Sequence, residues 1–371
     1  MEEAWELDLK QNIEQFLNSL QSKSNFFKFS PALDGVTNSG ENLSLGFSCY
    51  ALKCFYMLGL WEKIDKNIQN EWSNYINSYQ KSIKGLPSNS YIDLPIVNFY
   101  NSSLNKFSLK NFVKKILNNL EISSKRTTEE QFVDTIKAET KQAISTLYQV
   151  GFVNNKKYND FPQTKESIND YLDSLNWEKP WNAGAQFSAL CVFTATQLED
   201  ELKERNELIL YTYLDRVLNN KSGFYHISNK INQKEKINGA MKVITGLDWI
   251  NKPIHNPEKI IDYCLSIEPE ADGCDIVDLV YVMYKSTIQS SYREKDVGEF
   301  FTKIKSIIKK NYHSNIGAFS YFQGKSQLEY YGLKISKGLN TPDIHGTTLL
   351  LWAMTMIYDF QGIDQFNVIK P

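Results

Sequence analysis

The sequence predicts an all-α protein in which helical hairpins close into a ring around a central cavity, an (α/α)6 toroid. Three observations support this prediction. Segments with apolar residues three and four positions apart dominate the 371-residue chain, and strand-like alternation is scarce. Two kinds of helix alternate along the chain, one amphipathic and the other apolar almost all round. A weak internal repeat marks the starts of the apolar helices.

The amphipathic helices are predicted to form the outer layer of the ring, because such a helix buries one face and leaves the other in water. They are the segments 7–22, 62–82, 165–176, 201–219, 256–266 and 295–311. In 201–219, for example, charged residues lie off a single apolar stripe. That stripe consists of Leu202, Leu208, Ile209, Tyr213 and Val217.

The helices that are apolar on all sides are predicted to form an inner barrel, because such helices must be surrounded by protein. They are the segments 44–60, 129–150, 183–198, 238–250, 274–289 and 345–360. About six alternations of half-exposed with fully buried helices are most economically explained by a single toroid domain over residues 1–371. The segment 84–125 fits this scheme poorly, and we predict that it is an insertion between an outer helix and its inner partner.

The internal repeat concerns the starts of the inner helices. Most of them open with a polar residue followed by a small one, after a loop with a glycine and an aromatic residue. The clearest units pair residues 223–225 with 238–240, and residues 317–319 with 343–347. Glycine in a first helical turn costs about 0.5–1 kcal/mol relative to alanine. Its recurrence therefore predicts either close approach of helices or open space at the cavity mouth.

The functional site is predicted to lie at the N-termini of the inner helices, which point to the same end of the cavity in a toroid. Polar residues that are distant in sequence would converge there. They are Asn182, Asn238, Asp272, Asp275, Asp343 and His345. Asn and Asp are also good N-caps, so these residues have a structural interpretation as well.

Composition and charge narrow the function classes. The chain is 42% hydrophobic and 13% aromatic, and its formal net charge of −2 comes without any basic block, so no nucleic-acid partner is expected. The acidic N-terminus lacks the apolar region of a secretory signal, and no window approaches the roughly 18 apolar residues that span a bilayer. Five cysteines, mostly within apolar stretches, indicate reduced, buried thiols. We expect a cytoplasmic protein.

The starts of two consecutive inner helices read Asp-Gly-Cys at 272–274 and Asp-Ile-His at 343–345. The chain thereby resembles the terpenoid cyclase and protein prenyltransferase superfamily, in which a Gly-Phe loop precedes an inner helix of an α/α toroid. By this resemblance, Asp272, Cys274 and His345 are candidate zinc ligands. Such a set would suit tetrahedral Zn²⁺ and leave a fourth position for water or substrate. The structural alternative is an N-cap, a small core residue and a hydrogen-bonded helix-start residue.

The resemblance departs from the family at the diphosphate site. Prenyltransferase β subunits bind the diphosphate with Arg and Lys just before the Asp-Gly-Cys turn, and with a His on an earlier inner helix. Here residues 266–270 are acidic, and the earlier helix begins Ile-Asn-Gly at 237–239. A prenyl diphosphate would therefore meet like charge. Protein prenyltransferase activity, which also needs a partner α subunit, is not expected.

A second hypothesis is acid-initiated chemistry. Asp272, Asp275 and Asp278 recur every three residues along one helix start. This strip loosely resembles the acid of class II terpene cyclases, although their Asp-x-Asp-Asp motif is absent. Capping and the helix dipole explain the first two. They do not explain Asp278, which lies two turns into an apolar helix, where burial would raise its pKa. Asp275, Asp278 and Asp343 are the candidate catalytic residues.

Two further hypotheses come from other classes. Acidic, aromatic-lined α/α toroids also serve glycosidases and polysaccharide lyases, which use carboxylates for acid–base work and aromatic rings to stack on sugars. The rings available for such a platform are Trp181, Tyr225, Tyr281, Tyr284 and Trp352, although aromatics at helical spacing also suit a core. A non-enzymatic scaffold is equally compatible with the lack of nucleophile, phosphate-loop and dinucleotide motifs.

The expected function is that of a toroid enzyme acting on a largely apolar, isoprenoid-derived small molecule by zinc-assisted or acid-initiated chemistry. Its cavity is predicted to include Trp181, Asn182, Tyr225, Asn238 and Tyr281. A carbohydrate-active toroid enzyme and a binding scaffold are the alternatives. The sequence identifies no partner protein.

Overall fold

The computed structural model describes residues 4–102, 127–228, 230–271 and 273–371 and is mostly helical. Its helices are α1 (Ala4–Leu7), α2 (Leu9–Leu20), α3 (Asn38–Asn42), α4 (Leu45–Met57), α5 (Lys66–Asn77), α6 (residues 94–102), α7 (Thr128–Gln149), α8 (Lys165–Asp173), α9 (Pro180–Gln197), α10 (Asp200–Tyr213), α11 (Gln233–Trp249), α12 (Pro257–Leu265), α13 (Gly273–Gln289), α14 (Glu294–Ile308) and α15 (Ile344–Phe360). Within these ranges, no helix is long and apolar enough to cross a membrane.

The strands in the described ranges form three two-stranded antiparallel sheets. They pair β1 (Gln80–Lys81) with β2 (Ser90–Tyr91), β3 (Tyr312–His313) with β4 (Ala318–Phe319), and β5 (Glu329–Tyr330) with β6 (Leu333–Lys334). Each sheet is a short ribbon at a connection between helices. The all-α prediction is therefore confirmed.

Six long, mostly buried helices contact one another in turn. Contacts join α4 to α7, α7 to α9, α9 to α11, α11 to α13, α13 to α15, and α15 to α4. These are the helices predicted from the segments that are apolar all round, and most of their ends lie within three residues of the predictions. The exception is α11, which begins at Gln233 instead of Asn238. Its N-cap is Asn232, whose side chain accepts a hydrogen bond from the backbone nitrogen of Glu235 at 2.8 Å.

Amphipathic helices pack against these six: α5 on α4, α10 on α9, α12 on α13, and α14 on α13 and α15. The stripe predicted for residues 201–219 is wrong at Leu202 and Leu208, which are 42% and 56% exposed, whereas Tyr213 and Val217 are buried as predicted. Asn206 is buried on the inward face of α10. Its amide donates to the carbonyl of Gln163 at 3.1 Å and accepts from Arg205 at 2.9 Å.

Small residues at the helix starts permit close backbone contact. A Cβ on Gly184 would lie 2.9 Å from the carbonyl oxygen of Gly239, and a Cβ on Gly239 would lie 2.6 Å from the Cβ of Pro180. A Cβ on Gly346 would overlap the backbone of Tyr321. These separations are shorter than van der Waals contact, so a side chain at any of these positions would force atoms apart. The repeat therefore reflects close packing of α9 on α11, and of α15 on the preceding loop.

The described part of the predicted insertion packs on the inner helices. Asp93 accepts hydrogen bonds from the backbone nitrogens of Ser44 and Leu45 at 2.7 and 2.9 Å, and it thereby caps α4. The backbone nitrogen of Tyr91 donates to the hydroxyl of Thr140 in α7 at 3.0 Å. The rest of the predicted insertion, from residue 103 onward, lies outside the described residues.

Candidate functional site

Five of the six long helices that contact one another in turn line a cavity of about 550 Å³. Helices α9 and α15 contribute Asn182 and His345 from their first turns, while α4, α7 and α11 contribute residues from further along. The wall combines aromatic and aliphatic residues, with Tyr50 and Trp352 among its rings, with a similar number of polar and charged ones. The cavity can therefore hold a molecule that has both an apolar and a polar part.

Three lysines supply the main charge of this wall: Lys53 in α4, Lys141 in α7 and Lys242 in α11. Lys53 is only 8% exposed. Burial, with a contribution from Lys242, lowers the pKa of Lys53 to about 8. Burial also lowers the pKa of Lys141 well below its ordinary value, and both other lysines add to this effect. The three ammonium groups thus share one cavity and repel one another.

His345 lies at the start of α15 as an uncharged base. Its ring stacks on that of Tyr50 at 4.6 Å between centroids and contacts that of Tyr321 at 5.1 Å. Burial, followed by the charges of Lys242 and Lys53, lowers the pKa of His345 to about 3. Its Nδ1 atom is buried without a hydrogen-bond partner within the described ranges. A neutral imidazole with a free nitrogen can accept a proton or bind a metal.

Asp278 is a buried carboxyl group in the second turn of α13. It is 4% exposed and makes no hydrogen bond or ion pair with any residue in the described ranges. Burial raises the pKa of Asp278 to about 7; the charge of Lys242 opposes this effect and that of Asp275 adds to it. An Asp carboxyl that keeps its proton near neutral pH can act as a general acid.

Cys274 and His345 meet through a third residue, Tyr321. The Tyr321 hydroxyl and the Cys274 sulfur are 2.7 Å apart, and the Tyr321 ring contacts that of His345. Burial raises the pKa of Cys274 to about 11, with Asp278 the next contribution. Zinc would therefore have to displace this hydrogen bond and the thiol proton. Asp272 lies outside the described residues, and no group of three or more His, Cys, Asp or Glu side chains within them could hold a metal ion.

Asp343 is the N-cap of α15. One carboxylate oxygen accepts from the backbone nitrogen of Gly346 at 2.8 Å, and the other accepts from those of Tyr321 and Gln327 at 2.7 and 3.1 Å. Burial raises the pKa of Asp343 to about 6, and these hydrogen bonds restrain the rise. This arrangement fixes the loop that carries Tyr321, which favours a positioning role over proton transfer.

Asp275 and Asn238 face a separate pocket of about 320 Å³. Asn238 donates to Asp275 at 3.2 Å, and Lys234 forms an ion pair with the same carboxylate. The acidic residues Glu268 and Glu270 also line this pocket and are not among the residues that line the larger cavity. The like charge expected to repel an anionic substrate therefore lies outside the lysine-lined cavity.

Of the five residues predicted to line the cavity, Asn182 does so. Trp181 lies on the surface with 45% of its side chain exposed. Tyr225 is buried in the loop before α11, where its hydroxyl is 3.2 Å from Nδ1 of His255. Tyr281 is buried against Trp352, and its hydroxyl donates to Asp248 at 3.3 Å. Sequence reasoning overlooked the three lysines, Tyr50 and Tyr321.

Comparison with known proteins adds no family or homologue to this geometry. No protein-family model matches the chain, and neither the curated proteins nor the solved structures include a significant match. The function is therefore inferred from the chemistry of the site.

The arrangement combines a proton donor, a proton acceptor and fixed positive charge. Asp278 can hold a proton at neutral pH, His345 can accept one, and Lys242 influences the pKa of both. A second buried acid, Glu139, accepts a hydrogen bond from the Tyr330 hydroxyl, and burial raises its pKa to about 8. His345 lines the cavity, whereas Asp278 and Glu139 are not among its lining residues. The pKa values of all three are shifted far from their ordinary ranges, which is typical of functional sites.

Proposed function

We propose that the six contacting helices form the inner barrel of an (α/α)6 toroid built from one domain. The support is the order of contacts, which runs from α4 through α7, α9, α11, α13 and α15 and returns to α4. Amphipathic helices pack on the members of this set, and a cavity is lined by five of them. An experimental structure in which α4 and α15 do not adjoin would overturn this arrangement.

We propose further that the protein is an enzyme that binds a largely apolar, isoprenoid-derived small molecule in this cavity and starts its reaction by proton transfer from Asp278. The observation that carries this proposal is the buried carboxyl of Asp278, which has no partner within the described ranges and whose pKa is raised to about 7. A carboxylic acid in ordinary surroundings would be ionised at neutral pH. Here a substantial fraction keeps the proton that an acid catalyst must donate.

The surroundings of Asp278 suit this role in two respects. Burial raises the pKa of Asp278, the positive charge of Lys242 lowers it and the negative charge of Asp275 raises it, and the resulting pKa of about 7 lies near neutral pH. The rings of Tyr50 and Trp352 line the proposed substrate cavity. Asp278 is not among the lining residues, and Lys242, which is, connects it to the cavity electrostatically. Aromatic faces stabilise cations by about 0.5–2 kcal/mol each, and protonation of an alkene would create such a cation.

The test is turnover of linear isoprenoids and their diphosphate esters, followed by mass spectrometry of the products. Asp278→Asn keeps the shape of the side chain and removes the acid, so we expect a loss of about 10²–10⁴-fold. Asp364→Asn, which changes an exposed carboxylate in the C-terminal segment, is the matched control. An Asp278→Asn variant with full activity would eliminate the acid mechanism, and no turnover of any substrate would favour the binding-scaffold alternative.

Zinc-assisted chemistry by Asp272, Cys274 and His345 is a separate proposal, supported by the residue types and by the free Nδ1 of His345. Bound zinc would polarise a substrate oxygen or activate a water molecule. Metal analysis of the purified protein, with Cys274→Ser as the comparison, tests it. Loss of stoichiometric zinc in that variant is the expected result, and zinc-free wild-type protein with full activity would rule the role out.

A second candidate function is elimination from an acidic carbohydrate, favoured by the neutral His345 beside lysines in the cavity. In such a reaction, His345 would take the proton next to a carboxylate held by lysine. A carbon–carbon double bond would then form as the glycosidic oxygen leaves with its electron pair and gains a proton. New ultraviolet absorbance on incubation with uronic-acid oligosaccharides would support this candidate. Its absence, together with turnover of an isoprenoid, would exclude it.

We also propose a cytoplasmic location. The support is that all five cysteines are free thiols and that four of them are buried. Fractionation of cells that produce the protein, with detection by a specific antibody, tests this proposal. Recovery in a secreted or membrane fraction would contradict it.

A further inference from the structure

The proposed acid chemistry makes no use of the strongest electrostatic feature of the cavity, its three lysines. Lys53, Lys141 and Lys242 come from three different helices, yet all three line the same space. No hydrogen bond or ion pair joins any of them to a residue in the described ranges. A lysine on a protein surface can turn its ammonium group into water, whereas Lys53 is more than nine-tenths buried.

Buried, unpaired ammonium groups are costly, and no carboxylate in the described part of the chain offsets that cost for Lys53 or Lys141. Apart from burial itself, their pKa values respond to the other lysines and to cysteine thiols. No carboxylate is among these influences. Charged side chains that are buried in folded proteins are normally paired, so this site is incomplete without an anion.

We propose that Lys53, Lys141 and Lys242 form an anion subsite for an oxyanion with at least two negative charges. The cavity ligand would then combine such a group with an apolar body. This inference rests on the proposed function in so far as it takes the cavity to be the substrate site. It also refines the expected substrate, which the sequence predicts to be largely apolar.

The lysine charge that lines the cavity indicates how many negative charges the bound anion carries. Lys137 also lines the cavity, and Asp134 is the only acidic residue among the lining residues in the described part of the chain. A single negative charge would leave most of the lysine charge unpaired. A phosphoryl, diphosphate or dicarboxylate group supplies two or more charges with several acceptor oxygens, to which lysine binds as a compact point charge.

The acidic segment 266–270, whose charge argued against an anionic ligand, does not line this cavity. Glu268 and Glu270 line the separate pocket beside Asp275. Glu139 packs close to α4, but burial raises its pKa to about 8, so its carboxyl is mostly uncharged at neutral pH. Asp278 is likewise partly protonated there. The positive charge in the cavity is thus only weakly compensated.

The experiment is isothermal titration calorimetry of the full chain with inorganic pyrophosphate, phosphate, succinate and acetate at constant ionic strength and neutral pH. The variants are Lys53→Met, Lys141→Met and Lys242→Met, with Lys310→Met, an exposed lysine after α14, as the matched control. We expect one saturable site for a multivalent anion and much weaker binding of acetate. Each cavity variant should lose affinity about tenfold or more, because hydrogen bonds to charged groups are the strong ones, and the control should bind like wild type.

The relative affinities identify the source of the oxyanion. Preference for pyrophosphate or phosphate indicates a phosphoryl ligand, and preference for succinate indicates a dicarboxylate. Weak binding of all four anions with equal affinity, or unchanged binding by all three cavity variants that remain folded by circular dichroism, would overturn the subsite. Because binding is measured without turnover, an active enzyme that binds no anion refutes the subsite alone. An anion-binding protein without turnover refutes the proposed reaction alone.

Discussion

Replacing Lys53 by methionine should make the protein more stable, because an unpaired charge is removed from the interior. The methionine keeps most of the apolar stem and loses only the ammonium group. Lys53 makes no hydrogen bond or ion pair with the described residues, so no partner is left unsatisfied. The variant therefore separates the electrostatic cost of the lysine from its packing.

The size of the effect follows from the pKa of Lys53, which falls from 10.5 to about 8 on folding. A tenfold change in proton affinity corresponds to about 1.4 kcal/mol, so the charged lysine costs the folded state about 3 kcal/mol at most. Below pH 8 the lysine is charged in both the folded and unfolded states, and the full cost applies. Between about pH 8 and 10.5 the unfolded chain binds more protons than the folded chain, so the stability of wild type rises with pH.

Urea unfolding followed by circular dichroism at pH 7, 9 and 10 measures this prediction. The Lys53→Met variant should exceed wild type by up to about 3 kcal/mol at pH 7, and the difference should shrink toward pH 10. Lys310→Met, at an exposed position, should change the free energy of unfolding by less than about 0.5 kcal/mol. A variant less stable than wild type at pH 7, or a difference independent of pH, would refute the reasoning.

Three further predictions concern stability and are measured by thermal and urea unfolding. Gly346→Ala should lower the free energy of unfolding by about 3 kcal/mol or more, because its Cβ would overlap neighbouring backbone. Gly298→Ala, whose Cβ would have its nearest neighbour at 3.7 Å, should raise the free energy of unfolding by up to about 1 kcal/mol. Equal effects of the two substitutions would contradict this packing. Tyr330→Phe should cost about 1–3 kcal/mol, because Glu139 loses its hydrogen-bond donor. The Tyr330 hydrogen bond lowers the pKa of Glu139, so its loss should raise that pKa above about 8 in the folded state. The fall of stability with rising pH should then continue to higher pH in this variant than in wild type, and an identical pH profile would argue against this role. Asp343→Ala should cost about 1–3 kcal/mol through the lost cap, and a variant as stable as wild type would show that the cap is dispensable.

The inner helices were predictable because their signal is local and strong. Segments such as 345–360 are apolar on every side, and only a fully buried helix accommodates that pattern. Helix ends were harder to place, since α11 is extended by a turn whose N-cap is Asn232. The buried face of α10 was mistaken at Leu202 and Leu208, because a polar residue such as Asn206 can be buried when its amide is hydrogen-bonded, and apolar periodicity does not reveal this.

The candidate site was only partly predictable, and the reason differs among its residues. Asp278 was identified as a charge within an apolar helix, and the same criterion applied to Lys53 and Lys242 would have found two of the lysines. Tyr321 has no such signal, because it lies in a loop held by the backbone hydrogen bonds of Asp343. Pairing of Cys274 with a hydroxyl from that loop depends on tertiary structure that no local pattern encodes.

Lys242 connects the proposed acid with the proposed anion subsite. Its charge lowers the pKa of Asp278 and that of His345. An anion that neutralises Lys242 would therefore raise the pKa of Asp278 above about 7. Substrate binding would then itself favour protonation of the Asp278 carboxyl. Pyrophosphate titrations in two buffers of different ionisation enthalpy should show proton uptake near pH 7, and Asp278→Asn should reduce it. His345 contributes little, because its pKa starts at about 3, whereas Lys53 and Lys141 can also take up protons when an anion binds, because burial lowers the pKa of both. Proton uptake that Asp278→Asn leaves unchanged, or binding without uptake, would show that the two sites act independently.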